Sequence, residues 1–424
     1  MGGGLALIAV VTIKLTPEMQ GFYYTFYSLT ILRFFAELGL TVAIIQNIAH
    51  LSSRPESKEK VQAYTRFFIG WFKISAGVLV LVLLPAIFLF HDKLKILENP
   101  WKDVVGPWVV LPLATGISVI QYGLTSIVEG HRRLINVSQI RLAVSVSNLF
   151  GSAILLFFDF GLWAISISAM LSVLAGLLLC LRDRDVLRVG RSSVVAVNWR
   201  EEIWPFQWRL AISWAASFFI FYFITPFVMR WSGPVAAGQV GLSLQLFQTM
   251  SSVAVILIST NASVFGHYVA RREFSRFGRL FWVGSGKSFL LLFLILISFW
   301  IAYFSLDWLS LSHIKNRLVC FDLLVSLTAG TIGTHLFFLY NYYLRSYKDE
   351  SLWWLALLNS IVTVALCSFL VPTYGATAAI LIFSFNSILF WGGGALIWVK
   401  LRVKSVQADG SINSSVSHEK KFQK

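Results

Sequence analysis

The sequence predicts an all-α polytopic membrane protein with about twelve transmembrane helices, arranged as two parallel-repeat lobes of six helices each. Three observations predict this fold. Of the 424 residues, 57% are hydrophobic and 13% are charged, and the mean hydropathy of +0.73 indicates more apolar surface than a soluble core of this size can bury. The apolar residues fall into runs of spanning length. A repeat relates the two halves of the chain.

Twelve apolar runs approach the roughly 20 residues that a spanning helix needs. Helices are predicted because unpaired backbone groups are costly in lipid, and because no ten-residue alternating pattern typical of a membrane barrel recurs. The first run is short. The predicted spans are 1–13, 21–48, 67–90, 107–128, 138–158, 162–181, 207–229, 236–262, 282–304, 320–344, 351–371 and 376–399.

The distribution of Lys and Arg predicts the topology. With the N-terminus inside, the inward loops and the tail hold 23 of these residues and the outward loops hold seven. Lys and Arg collect on the cytoplasmic side, so both termini of this multi-pass protein are predicted to be cytoplasmic. The net charge of +15 is therefore read as a topology signal, and no nucleic-acid partner is predicted.

The internal repeat predicts the domain organisation. Pro17 and Gly21 recur as Pro234 and Gly238 at an offset of 217 residues. Two further pairs, near the ends of the fifth and eleventh spans, have offsets of 211 and 214: Asn148 with Asn359, and Gly161 with Gly375. The chain is accordingly divided into an N-terminal six-helix lobe (1–181), a cytoplasmic linker (182–206), a C-terminal six-helix lobe (207–399) and a cytoplasmic tail (400–424). Span seven, mapped back by 217 residues, begins upstream of Met1, so the first helix is expected to be truncated.

Polar residues within the spans are the candidates for function, because such groups usually face the bundle interior or a wet cavity. In the second span Arg33 and Glu37 lie one turn apart, and Asn47 extends the same stripe. One interpretation is an ion pair between Arg33 and Glu37 that neutralises itself. The other is a stripe that lines a cavity, which the position of Asn47 favours.

Three other spans carry polar stripes without charge. Gln121 lies on such a stripe in the fourth span, Gln245 and Gln248 in the eighth, and His335 in the tenth. Together the stripes predict one cavity between the lobes; the alternative is hydrogen bonding between packed helices. His335 is either a proton carrier or a packed, hydrogen-bonded core residue.

Four cations lie just inside the predicted cytoplasmic ends of spans. Lys73 and Lys287 are expected to extend toward the lipid headgroups. Arg141 and Arg209 are better candidates for an anionic ligand, because arginine can bind a phosphate through two parallel hydrogen bonds. With only Glu37 central among the acids, a cavity here should attract anions.

No motif for catalysis or for a cofactor is present. The sequence has no Walker loop and no HExxH or GxSxG motif. Its three cysteines show no CxxC spacing, so neither a disulfide framework nor a metal site is predicted. We therefore expect a protein that is not an enzyme, has no catalytic residues and holds no cofactor or metal.

Two stretches of the sequence are distinctive, Trp204-Pro-Phe-Gln-Trp208 and Ala237-Gly-Gln-Val-Gly-Leu-Ser243, and a third, Glu129-Gly-His-Arg-Arg133, is shorter. These stretches resemble the oligosaccharide flippases of the polysaccharide biosynthesis and export family, within the multidrug/oligosaccharidyl-lipid/polysaccharide exporter superfamily. The resemblance implies a protein of the bacterial inner membrane. The resemblance extends over nearly the whole chain. It implies a two-lobe transporter whose cationic cavity corresponds by location to Arg33, Arg141 and Arg209.

The resemblance further implies a function. Such a protein moves an undecaprenyl-pyrophosphate-linked oligosaccharide unit across the bilayer by alternating access, for synthesis of O-antigen, capsule or exopolysaccharide, and can belong to a polysaccharide assembly complex. One alternative is a cation-coupled multidrug exporter of the same superfamily, which would need acidic residues in its cavity. Another is a membrane polysaccharide polymerase or ligase, which would need a large outward loop.

Overall fold

The computed structural model describes residues 2–37, 39–52, 58–95, 97–187, 204–347, 352–394, 396–397 and 400. Within these residues the chain is helical apart from turns and bends, and no strand occurs. Eight helices precede the segment 188–203, numbered here in chain order. They are α1 (Gly2–Lys14), α2 (Pro17–Thr30), α3 (Arg33–Glu37), α4 (Leu40–Ser52), α5 (Lys58–Leu83), α6 (Gly106–Gly130), α7 (Leu134–Phe157) and α8 (Trp163–Cys180).

Seven helices follow that segment. They are α9 (Trp204–Phe221), α10 (Ile224–Ser232), α11 (Pro234–Ser259), α12 (Ala262–Ala270), α13 (Phe274–Trp308), α14 (Phe321–Ser346) and α15 (Trp353–Asn386). Shorter helical segments extend or connect them: Leu84–Phe90, His91–Leu94, Trp101–Val105, Leu181–Asp183, Arg184–Leu187, Ser312–Lys315 and Ser387–Gly394.

Nine helical stretches in the described part of the chain are long and apolar enough to cross a membrane. The 13-residue α1 and the divided second span are too short to be among them. The last stretch, Trp353–Gly394, contains the two spans predicted at 351–371 and 376–399. These separate at Gly375, whose φ of 60° and ψ of −138° lie outside the helical region. Each predicted span thus corresponds to helix in the structure.

The second span differs from the prediction of one helix over 21–48. It is broken between α2 and α3 and again between α3 and α4. At the first break the Thr30 hydroxyl donates to the Tyr27 carbonyl at 2.7 Å. At the second, Gly39 has φ of 68°, a conformation that residues with a side chain rarely adopt. A hydropathy profile does not detect either break, because the interrupted run remains apolar.

The seventh span, predicted over 207–229, is also divided, into α9 and α10. At the bend the backbone N–H groups of Tyr222 and Phe223 both donate to the Phe218 carbonyl. This local widening of the helix redirects the chain. As a result, α10 packs on α11 and α15, while α9 packs on α15.

Helices α1 and α3–α8 pack mainly on one another, as do α9–α15, whereas α2 packs mainly on α10 and α11. We call α1–α8 the N-terminal lobe and α9–α15 the C-terminal lobe. The outer faces of both are apolar: Phe293 and Ile301 of α13, for example, are exposed, as residues in contact with lipid would be. Lys73 and Lys287 are also exposed on such faces. The predicted linker (182–206) and tail (400–424) fall mostly outside the described residues.

The lobes meet where α2 crosses α11. A Cβ added at Gly21 would lie 1.9 Å from the Pro234 carbonyl oxygen, and one added at Gly238 would lie 3.0 Å from the Gly21 nitrogen. The side-chain amide of Gln20 donates to the Gly238 carbonyl at 3.0 Å. The two copies of the Pro–Gly repeat therefore contact each other backbone to backbone, which only glycine permits.

An ionic cluster joins the ends of α6, α7 and α8. Arg133 donates to Asp183 at 2.6 Å and to Asp185 at 2.9 Å, and the amide of Asn136 also donates to Asp183 at 2.8 Å. The Asp183 side chain is completely buried. The hydrogen bonds to Asp185 and Asp183 raise the pKa of the Arg133 guanidinium above its usual range. Burial, with the charge of Arg133, lowers the pKa of the adjacent His131 below its ordinary 6.5.

Candidate functional site

Two cavities adjoin Tyr27 in the described part of the chain, one in each lobe. The N-terminal cavity, of about 460 Å³, lies between α2–α3 and helices α6–α8. The C-terminal cavity, of about 270 Å³, is enclosed mainly by α9, α11, α14 and α15. Tyr27 of α2 lines both cavities, so the two are neighbours on either side of one side chain.

The N-terminal cavity is polar and contains one formal charge among its described lining residues. That charge is Arg33, and no Asp or Glu lines the cavity. Hydroxyl and amide groups supply the rest of the polar surface: Tyr23, Tyr27, Thr30, Thr115, Ser118, Gln121, Tyr122, Ser145, Asn148, Ser152 and Ser172. A cavity of this composition favours an anionic, hydroxyl-bearing ligand.

Arg33 stacks on an aromatic ring. Its guanidinium carbon lies 4.6 Å from the centroid of the Tyr122 ring on α6 and 5.2 Å from that of Phe34. Its Nε is buried and has no hydrogen-bond partner. Within the described residues no ion pair joins Arg33 to Glu37, although Glu37 is buried one turn away. The position of Arg33 thus agrees with the interpretation of the stripe as cavity-lining, and not with a self-neutralising ion pair.

Gln121 faces the same cavity from α6. Its amide nitrogen donates to the Thr125 hydroxyl at 2.9 Å, and its carbonyl oxygen Oε1 is buried without a partner. A free acceptor oxygen beside Arg33 is suited to a ligand hydroxyl group. α8 packs closely at this point, because a Cβ at Gly176 would lie 2.9 Å from the Gln121 amide nitrogen.

Gln245 and Gln248 line the C-terminal cavity instead. The Gln245 amide donates to the Tyr27 hydroxyl at 3.5 Å, and the Gln248 amide donates to the Phe221 carbonyl at 3.3 Å. The predicted polar stripes therefore surround two cavities that share Tyr27, rather than one.

His335 lies behind the C-terminal cavity and does not line it. Its Nδ1 is 3.3 Å from the Ser251 hydroxyl and its Nε2 is 3.1 Å from the Ser288 hydroxyl. Because Ser288 donates to the Ala254 carbonyl, it accepts from Nε2–H, and Nδ1 accepts from Ser251. The side chain is fully buried and both ring nitrogens are paired, as expected for a packed core histidine.

The remaining predicted residues lie apart from the two cavities. Arg141 is exposed and forms an ion pair with Glu129 at 2.5 Å. Asn47 is half-buried on α4 and lines neither cavity. Arg209 belongs to the first turns of α9, but its side chain is outside the described part of the chain.

Most residues that line the cavities were not among the predicted site residues, and two of them stand out. Tyr27 joins the cavities, and Asn148 was noted only as a marker of the repeat. A signal for Tyr27 was present in its spacing, because it precedes Thr30 by three residues and so continues the polar stripe. A tyrosine in an apolar run is usually interpreted as a residue at the lipid interface, so its place on the polar stripe is easily overlooked.

Comparison with known proteins shows the fold. No known protein-family model and no curated protein matches the sequence. An inward-facing multidrug resistance MATE family transporter of the MOP superfamily superposes with a TM-score of 0.71 at 14% identity, with 96% of each chain covered. The lipid II flippase MurJ, in an inward closed conformation, gives 0.65 at 11% identity, with 95% of this chain and 86% of that one covered.

An outward-facing MATE family transporter gives a lower TM-score, 0.56, at 14% identity, with 96% of this chain and 93% of that one covered. The structure is thus more similar to the inward-facing transporter than to the outward-facing one. At these identities the likeness shows the fold alone, which this chain shares with those transporters over essentially its whole length.

Proposed function

We propose that this chain is a flippase that moves undecaprenyl-pyrophosphate-linked oligosaccharide units across the bacterial cytoplasmic membrane for surface polysaccharide synthesis. The observation that carries the proposal is the N-terminal cavity, which has one cation, Arg33, many hydroxyl and amide groups and no carboxylate among its described lining residues. A pyrophosphate attached to sugar matches those groups.

The mechanism follows from the cost of moving a headgroup through hydrocarbon. Pyrophosphate and sugar hydroxyls would lose their hydrogen bonds over a layer roughly 30 Å thick. In the cavity Arg33 offers guanidinium N–H groups to the phosphates, and Gln121 offers a free carbonyl oxygen. The lipid chain stays in the bilayer while the two lobes rock relative to each other and expose the cavity to each side in turn.

A cation-coupled multidrug exporter is the second candidate. One observation favours it: Glu37 is buried close to the N-terminal cavity, and a buried carboxylate is the group that a cationic drug or ion would need. Glu37 does not line either cavity, however, whereas Arg33 does. The charge that a ligand meets in this conformation is positive, which disfavours cationic drugs.

The test is complementation of a bacterium that lacks its own flippase, scored by surface polymer, together with an efflux assay for cationic dyes. Wild type, Arg33→Ala and the exposed-cation control Lys73→Ala are compared at equal membrane abundance. Restoration by wild type and Lys73→Ala, but not by Arg33→Ala, supports the flippase. Dye efflux by wild type without polymer would support the exporter instead.

A further inference from the structure

The C-terminal cavity differs chemically from its neighbour. Among its described lining residues there is no Lys, Arg, His, Asp or Glu. It is lined by aromatic rings together with amide and hydroxyl groups. The aromatic residues are Tyr27, Phe221, Tyr222, Phe247, Phe338 and Phe383.

The hydrogen-bonding groups of this cavity are uncharged amides and hydroxyls. The hydroxyls of Thr249, Ser252 and Thr331 each donate to a carbonyl of their own helix, at 2.7–2.9 Å, which leaves their oxygen lone pairs available. The amide nitrogens of Gln245 and Gln248 donate to Tyr27 and Phe221. Within the described residues their amide oxygens accept no hydrogen bond. Each Gln amide also has a second N–H, and the Tyr27 hydroxyl, which accepts from Gln245, keeps its own hydrogen. The cavity therefore offers a sugar hydroxyl group both acceptors and donors, none of them charged.

Aromatic rings and uncharged hydrogen-bonding groups together suit an uncharged sugar. The C–H faces of a pyranose pack on aromatic rings, and its hydroxyl groups donate to acceptor oxygens. A carboxylated sugar would place a negative charge in a cavity whose described lining residues include no cation to pair with it, and that burial is costly. The volume of about 270 Å³ is close to the lower end of ligand pockets, at about 300 Å³.

We propose that the C-terminal cavity is the sugar subsite of the flippase and selects neutral sugars over acidic ones. This inference rests on the proposed function, in which Arg33 holds the pyrophosphate. Tyr27 lines both cavities, so one headgroup can place its phosphates on one side of that ring and its first sugars on the other. The carboxylate-free N-terminal cavity recognises the anion, and the cation-free C-terminal cavity selects the sugar.

The test uses purified protein in liposomes with two matched probes, undecaprenyl pyrophosphate carrying glucose and the same lipid carrying glucuronate. The sugars differ at C6 only. Flipping is followed by the access of a membrane-impermeant glycan-modifying enzyme added outside. We expect wild type to move the glucose lipid at least about tenfold faster, because a site without a counter-charge rejects an ion strongly.

Two variants separate the subsites. Gln248→Lys places a cation in the C-terminal cavity and should reduce the glucose preference severalfold. Arg33→Ala should slow both probes while leaving their ratio unchanged. Folding of each variant is checked by gel filtration, and the wild-type ratio alone tests the inference even if Gln248→Lys fails to fold.

The outcomes distinguish the two proposals. Equal rates for both probes in wild type, with both slowed by Arg33→Ala, would overturn the neutral-sugar subsite and leave the flippase standing. Faster flipping of the glucuronate lipid than of the glucose lipid would also overturn the neutral-sugar subsite and leave the flippase standing. If wild-type protein moves neither probe, the flippase function is rejected and the subsite with it.

Discussion

The guanidinium carbon of Arg33 lies 4.6 Å from the centroid of the Tyr122 ring, so a cation on the short helix α3 is held against an aromatic face on α6. A desolvated contact of this kind contributes about 2 kcal/mol. It orients the guanidinium plane without consuming its N–H donors. Arg33 is thereby positioned to bind an anion and still pack well when no ligand is present.

We expect Arg33→Ala to reduce transport at least tenfold, on the order of 1.4 kcal/mol or more of lost ligand interaction. Arg33→Lys should recover only part of that loss, because an ammonium keeps the charge but not the planar fork. Both are measured in the liposome assay. Lys287→Ala, at an exposed position on α13, is the matched control and should transport normally. A fully active Arg33→Ala protein would remove this residue from the site.

Gly21→Ala should destabilise the contact between the lobes by about 1–3 kcal/mol, because the new methyl group would overlap the Pro234 carbonyl oxygen. The readout is the thermal unfolding midpoint in detergent. Gly77→Ala is the control: nothing lies within 4 Å of the added Cβ, and α5 should be unaffected or slightly stabilised. Equal midpoints for the two variants would contradict the close crossing.

Arg133→Ala should lower stability by on the order of 2 kcal/mol, because it leaves Asp183 buried without its charged partner. The loss should be smaller in Arg133→Ala/Asp183→Asn, where no buried charge remains. Thermal unfolding of the single and double variants forms the measurement. Arg182→Ala, whose exposed side chain makes one 3.5 Å contact, should behave as wild type. Additive losses in the double variant would argue against a coupled cluster.

Because of His131, we expect the stability of the protein to depend on pH in the acidic range. Its folded-state pKa is lowered by burial and by Arg133, so below the ordinary value of 6.5 the unfolded chain takes up a proton that the folded protein does not. Stability should therefore be unaffected by this group above pH 6.5 and should fall as the pH drops below it. His131→Gln should flatten that part of the curve. Parallel unfolding midpoints for wild type and variant between pH 7.5 and pH 5 would refute the assignment.

Much of the fold could be predicted from the sequence, because the length and spacing of apolar runs reflect the thickness of the bilayer. The ends of helices could not. Helix α13 begins at Phe274, well before the predicted residue 282, because its first turns carry Arg276 and Arg279 and lower the local hydropathy. The breaks around α3 were missed because the run stays apolar across them, and the positive φ of Gly39 at the second break does not change the hydropathy.

The candidate site was predictable by residue type and less so by location. Arg33 and Gln121 meet in one cavity because each lies on the inward face of its helix, and helical periodicity reports that face. The partner of Arg141 was not foreseen, although Glu129 lies only 12 residues away, because the turn between α6 and α7 brings them together. Which stripes share a cavity depends on helix packing, which periodicity does not encode.

The close crossing of α2 and α11 at Gly21 and Gly238 also bears on the leakage of ions through the protein. A protein with polar cavities in the membrane must still hold back protons and sodium ions at one end. At this crossing backbone lies directly on backbone, and a single added methyl group would not fit. A continuous chain of water molecules, which protons and ions would need, cannot pass through such a contact. We therefore expect the contact to block ions. The small residues that bring the lobes together would thus preserve the ion gradients of the membrane.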